Sequence, residues 1–214
     1  MYAIKEAFYS LQGEGARAGR ASVFCRFTGC NLWSGRPQDR EKSACRFCDT
    51  DFIGTDGQNG GKFVTADQLA DHLDALWPYL AASGKRYVVF TGGEPLLQLD
   101  KALIDAMHAR DFEIAVETNG TLPAPEGIDW ICVSPKGATT LVQTSGHELK
   151  LVYPQADALP ERFETLDFQH FYLQPMDLIP LGQQGTTQAR ALTYCLQHPQ
   201  WQLSLQMHKI IGID

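Results

Sequence analysis

A parallel α/β fold, its sheet open or partly closed like a barrel, is predicted by three features of this sequence. Short apolar runs recur along the chain, helical patterns lie between several of them, and polar residues gather where the runs end. The runs are SVFCRF (22–27), YVVFT (87–91), EIAVET (113–118), WICVS (130–134), ELKLVY (148–153), FYLQP (171–175) and WQLSLQ (201–206). Several are apolar at consecutive positions, the pattern of strands covered on both faces.

The helices follow from spacing. Thr65 and Gln68 stand as a capping box ahead of Leu69, Leu73, Leu76 and Trp77, so a helix starts there and Pro78 stops it. From 95 to 110, Leu96, Leu99, Leu103 and Met107 fall on one helical face. A third helix is expected over 187–197.

Chemistry in such folds gathers at the carboxyl ends of the strands. Arg26 closes the first of these strands. Thr91-Gly92-Gly93-Glu94-Pro95 follows the second and Glu117-Thr118-Asn119-Gly120 the third. Ser134-Pro135-Lys136 follows the fourth, and Gln174-Pro175-Met176-Asp177 the sixth. Five polar clusters at strand ends point to one site assembled around a rim.

The chain has 214 residues, 44% hydrophobic and 20% charged, with a net charge of −7. That length suits one domain, 1–214, with a substantial core. An acidic surface argues against non-specific nucleic-acid binding. No apolar run reaches the ~20 residues that cross a bilayer, and the N-terminus has no signal-peptide pattern. The expected compartment is the cytoplasm, where thiols stay reduced. The six cysteines are therefore metal ligands, catalytic groups or core residues.

Three of them, Cys30, Cys45 and Cys48, lie in one polar stretch. A [4Fe–4S] cube has four irons, each taking a thiolate, so three protein thiolates leave one iron open. Zinc competes, because Cys25, Cys30, Cys45 and Cys48 make a Cys₄ set. Cys25 alternates with Val23 and Phe27 on an apolar strand face and fits a small buried hydrophobe better. On the thiols alone the two metals stand level. Cys132 and Cys195 belong to core elements. His72, His108, His147, His170 and His198 are expected as surface or structural groups.

Three cysteines ending in CRFC, followed by TGGEP at a strand end, resemble the radical S-adenosylmethionine (SAM) enzymes. The stretches FYSLQGEGARAGRASVFCRFTGCNLW, CDTDF, TGGEPLLQ, ETNG, SPK and QPMD are similar to the 7-carboxy-7-deazaguanine synthase family, over nearly the whole chain. Many radical SAM relatives place three residues between the first two cysteines. Here fourteen intervene, an expanded cluster loop that some members of this family carry.

The resemblance implies a partial (β/α) barrel of the radical SAM type. It implies ring contraction of 6-carboxy-5,6,7,8-tetrahydropterin to 7-carboxy-7-deazaguanine, with loss of ammonia, on the path to queuosine. The implied cofactors are a [4Fe–4S] cluster on Cys30, Cys45 and Cys48, S-adenosylmethionine, and Mg²⁺ on Thr50. By the same carry-over Phe47, Cys48, Asp49, Gly93 and Glu94 contact S-adenosylmethionine. Glu117, Ser134, Pro135, Lys136, Gln174, Pro175, Met176 and Asp177 complete its pocket. Substrate contacts fall on Leu11, Gln12, Gly13, Glu14, Arg26, Thr91, His208 and the terminal Asp214. Arg26 suits a carboxylate, and its alternative is a rim salt bridge. Family members are homodimers.

Arg36, Arg40 and Lys42 lie in the expanded loop of an otherwise acidic chain, which predicts docking of an acidic electron donor such as flavodoxin. Two other functions fit parts of the pattern. One is a radical activase acting on a partner protein; the other is a zinc-binding module.

Overall fold

A computed structural model describes residues 1–78, 85–181 and 186–213. Its nine strands form one sheet: β1 Tyr2–Leu11, β2 Ala21–Phe27, β3 Gly61–Phe63, β4 Arg86–Gly92, β5 Phe112–Thr118, β6 Trp130–Val133, β7 Ser145–Tyr153, β8 Asp167–Pro175 and β9 Trp201–Leu203. Four α-helices accompany them among the described residues: α1 Ala66–Asp74, α2 Lys101–His108, α3 Gln188–Gln197 and α4 Met207–Ile211. The strand order is β3-β1-β2-β4-β5-β6-β7-β8-β9. β1 runs antiparallel to β2 and β3, and every later pairing is parallel. With β3 and β9 left as edges, this is the expected partial barrel.

Strand periodicity sorts the two faces. Val23, Cys25 and Phe27 of β2, Val88 and Phe90 of β4, and Ile114 and Val116 of β5 pack against Leu69 and Leu73 of α1 and Leu103 and Met107 of α2. Leu149 and Leu151 of β7, Leu173 of β8 and Trp201 of β9 form a second core with Ala191 of α3. The opposite residues, among them Tyr87, Val89, Ala115, Trp130 and Cys132, face the barrel interior. Cys25 and Cys132 are core residues, as expected, and Cys195 packs at the edge of the second core.

Local chemistry explains where the elements differ from expectation. The capping box of Thr65 and Gln68 is complete, yet α1 ends at Asp74, short of Pro78. The 95–110 segment buries Leu99, Leu103 and Met107 in one core but is not one helix. The Glu94 carboxylate caps a 3-10 turn at Pro95–Leu97, and the Asp100 carboxylate accepts from Leu103 N–H to start α2. β1 was not expected. A bulge between Ile4 and Glu6 breaks its alternation, so the period-two signal fails there. The last predicted run pairs only over Trp201–Leu203. β3 and α4 are too short to leave a pattern.

Candidate active site

The carboxyl ends of β2, β4, β5, β7 and β8 surround a cavity of about 420 Å³. Cys30, Cys45 and Cys48 all face it from the loop after β2. The Cys45 thiol hydrogen-bonds Cys48, which pushes Cys48 down to about 6 and Cys45 up. Burial raises Cys30. Cys30 Sγ also accepts from Leu32 N–H at 3.4 Å.

Among the described residues no three His, Cys, Asp or Glu side chains converge as ligands of a single ion. Cys25 points into the helix-side core, so the Cys₄ zinc set is not assembled. A cube takes one thiolate per iron and spreads its ligands, which fits three thiols sharing one rim.

The loop is braced from within. Arg40 Nη1 donates to the carbonyls of Arg46 at 2.7 Å and Cys48 at 3.0 Å. The same guanidinium lies 4.1 Å from the centre of the Trp33 ring. Trp33 in turn meets Phe52 edge-on at 5.6 Å. Arg40 therefore shapes the C-x-x-C turn and is not free for docking, a correction to the basic triplet expected there. Arg36 and Lys42 are exposed.

Gly93 brings the β4 end against this loop. A Cβ there would lie 2.0 Å from Gly29 O and 3.0 Å from the Cys30 Cβ. No other residue allows that approach.

Glu94 does not face the cavity. Its Oε1 accepts from the Thr118 hydroxyl at 2.7 Å and Leu96 N–H at 3.0 Å, and its Oε2 accepts from Asn119 N–H at 2.8 Å. Burial raises its pKa against these donors. The carboxylate thus ties the ends of β4 and β5 together. Pro135 and Met176 also stay off the cavity wall. Their carbonyls accept from Gln155 Nε2 at 3.3 Å and from the Thr187 hydroxyl at 3.0 Å. Asp214 lies outside the described residues.

The other residues singled out in the sequence meet here. Phe47, Asp49, Thr50, Gly93, Ser134, Lys136, Pro175 and Asp177 line the side nearest the cysteines. Lys136 Nζ reaches Ser134 Oγ at 2.5 Å and lies 5.9 Å from the Phe47 ring centre. Leu11, Gln12, Gly13, Glu14, Arg26, Thr91, Glu117, Gln174 and His208 line the rest. Arg26 Nε donates to Glu6 Oε1 at 2.7 Å, so it is both cavity wall and ion pair. Gly13 makes room for His208, whose Nδ1 would be 2.3 Å from an added Cβ.

Several wall residues escaped the sequence. Phe8 and Phe24 stack at 5.3 Å on the inner face. Lys150 is buried between Glu14 Oε2 at 2.6 Å and Glu117 Oε2 at 2.7 Å. Lys209 of α4 spans the mouth, 2.7 Å from both Asp49 Oδ2 and Asp177 Oδ2. Glu148 and Lys150 alternating with Leu149 and Leu151 was the available signal, since a strand covered on both faces has no other reason for inward charges.

A sequence model of the radical SAM superfamily matches residues 37–145. The 7-carboxy-7-deazaguanine synthase of Bradyrhizobium diazoefficiens is 64% identical over 99% of each chain. That of Bordetella pertussis is 66% identical, again over 99% of each. The crystal structure of QueE from Escherichia coli superposes with a TM-score of 0.68 over 97% of this chain and 94% of that one. At 24% identity it shows the shared fold.

Proposed function

The chain belongs to the 7-carboxy-7-deazaguanine synthase family of the radical SAM superfamily, and from that premise we infer what its cavity does. The function is radical ring contraction of 6-carboxy-5,6,7,8-tetrahydropterin to 7-carboxy-7-deazaguanine, with release of ammonia, in queuosine biosynthesis. The single observation that carries the assignment to this site is the shared cavity. Three cysteines line it from the loop after β2, together with Gln12 and Glu14 from the loop after β1, Arg26 of β2 and Glu117 of β5.

Cys30, Cys45 and Cys48 would hold the [4Fe–4S] cluster. When bound, the cluster and S-adenosylmethionine supply the one-electron chemistry that removes a hydrogen atom from the substrate. The chain supplies position and a dry enclosure. Phe47, Gly93, Ser134 and Lys136 frame the S-adenosylmethionine side, with Asp49, Gln174 and Asp177 bordering it. The stacked Phe8 and Phe24 offer a flat wall to a flat heterocycle. Arg26 can turn its remaining guanidinium donors to the substrate carboxylate. The Thr50 hydroxyl would serve Mg²⁺, which keeps several waters and needs few protein ligands.

No helix among the described residues is long and apolar enough to cross a membrane. A cytoplasmic homodimer is the expected form. Exposed Arg36 and Lys42 remain to dock an acidic electron donor of the flavodoxin kind.

The test is anaerobic reconstitution with iron and sulfide, then incubation with carboxytetrahydropterin, S-adenosylmethionine, Mg²⁺ and reductant. Chromatography should find the deazaguanine acid, and deuterium from labelled pterin should enter S-adenosylmethionine. An activase would show no such transfer. Replacing Cys30, Cys45 and Cys48 together by Ala should abolish both iron uptake and product. Product from that variant, or a native protein that takes up no iron, would break the assignment.

A further inference from the structure

Beneath the cavity a lysine sits where a parallel sheet is otherwise apolar. Lys150 is 3% exposed, on the inner face of β7. Burial works against its charge, and Glu117 and Glu14 outweigh burial to hold its pKa well above the ordinary lysine value. Burial also works against the Glu14 carboxylate, but Lys150 keeps it below the usual range.

The two carboxylates are held on their far sides as well. Gln12 Nε2 donates to Glu117 Oε1 at 3.0 Å, and Gln12 Oε1 accepts from Glu14 N–H at 3.2 Å. Gln174 Nε2 and Gln206 Nε2 donate to Glu14 Oε1 at 3.0 and 3.2 Å. Each Glu117 oxygen then meets one donor, Gln12 or Lys150, and keeps a lone pair to spare, and Glu14 Oε2, on Lys150, does likewise. Both residues and Lys150 line the cavity.

We propose that Lys150 is the positioning residue of the substrate site, its ammonium tying Glu14 to Glu117 so that both present carboxylate lone pairs to a heterocycle edge with neighbouring N–H donors. The 2-amino-4-oxopyrimidine edge of a pterin has that pattern, so the inference rests on the proposed reaction and deepens it. The established family reaction needs its substrate held firmly, and a double carboxylate acceptor rejects heterocycles that lack the donors.

The charged groups facing this cluster come from every neighbouring element. Glu148 lies two positions away on β7, its pKa raised chiefly by burial; Cys132 of β6 donates to it at 3.6 Å. Tyr172 of β8 pairs with Lys150 in the strand register. His208 of α4 and Asp49 of the cluster loop act on Glu14 from the mouth. None of these supplies a second cation against both carboxylates. Without Lys150 two carboxylates would share one buried site, and one of them would take a proton near neutrality.

The experiment is equilibrium binding of carboxytetrahydropterin to the reconstituted protein with S-adenosylmethionine, between about pH 6.5 and 8.5, for wild type, Lys150→Met and Lys150→Arg. Iron content and melting temperature are read in parallel. Wild type should bind with an affinity that is flat across this range. Lys150→Met should bind at least about tenfold more weakly at pH 7 and recover as pH rises, with iron content unchanged and KM affected more than kcat. Lys150→Arg, which keeps the cation, should stay flat. A Lys150→Met protein that binds like wild type, or is weakened equally at every pH, overturns the inference. Wild-type affinity that falls away below pH 7 overturns it even if Lys150→Met does not fold. Wild type that binds no pterin overturns the functional assignment itself, a result distinct from the others.

Discussion

In the loop that carries the cysteines, side chains find partners a few positions away. Trp33 Nε1 donates to a carbonyl three residues on, and Arg40 reaches carbonyls six and eight residues on. On the cavity floor the partners are far apart in the chain. Gln12 meets Glu117 across 105 positions, Gln174 meets Glu14 across 160, and Gln206 meets Glu14 across 192. The loop is exposed over much of its length, while Lys150 and Gln12 are buried. One half of the site is thus shaped by local chain geometry, and the other exists only once the whole sheet has formed.

If that contrast holds, the largest effect should come where the two halves touch. Gly93→Ala would force Cβ against Gly29 O, backbone on both sides. It should cost about 2–3 kcal/mol in stability and lower iron content, because the same Cβ crowds Cys30. Gly61→Ala, with only ordinary contacts at 3.6 Å, is the control and should stay near wild type in denaturant unfolding.

A smaller effect tests the loop alone. Arg40→Ala removes two hydrogen bonds and a cation–π contact at a half-buried site, worth about 1 kcal/mol of local order. The global melting temperature should barely move, while amide exchange in 40–50 speeds up and iron loading drops. Equal loss of global stability would show that the loop is not a local unit.

The smallest effect tests closure of the mouth by α4. Lys209→Ala should cost about 0.5 kcal/mol or less, because the lysine side chain is 41% exposed and solvent screens the pair. Burial raises Asp49, but its bond with Lys209 wins and the pKa is lowered; the Lys209 bond lowers Asp177 directly. Lowered acids stabilise above their unfolded values and lose that contribution as pH falls through the folded ones. Lys209, raised, loses its contribution only in strong base. Protease cleavage near α4 should therefore rise in acid below about pH 4, and Lys209→Ala should be cleaved about twofold faster than wild type at neutral pH. Identical cleavage of both proteins at neutral pH would remove the clasp.

The same contrast decides what was legible. The C-x-x-C, the capping box of Thr65 and Gln68, the apolar stripe from Leu99 to Met107 and the polar strand ends all stand in short windows, and each marked its element or its side of the site. Cys25 was placed in the core by its alternation with Val23 and Phe27. The partners of Glu94 and Arg40 are not legible, because a charge in a loop sequence says nothing of what it meets in the fold. Glu94 is bound by Thr118 and Asn119, and Arg40 by carbonyls and a tryptophan ring.

By itself the sequence determined a parallel α/β chain with three thiols on one loop and polar residues at successive strand ends, since strand and helix periods and metal spacing are local properties. Only the tertiary structure decided that Lys150 lies between Glu14 and Glu117, that Arg26 meets Glu6, and that α4 reaches Asp49. Those pairings depend on sheet register and on a bulge in β1, and a charge buried at a given depth is stable only with the partner that the register delivers.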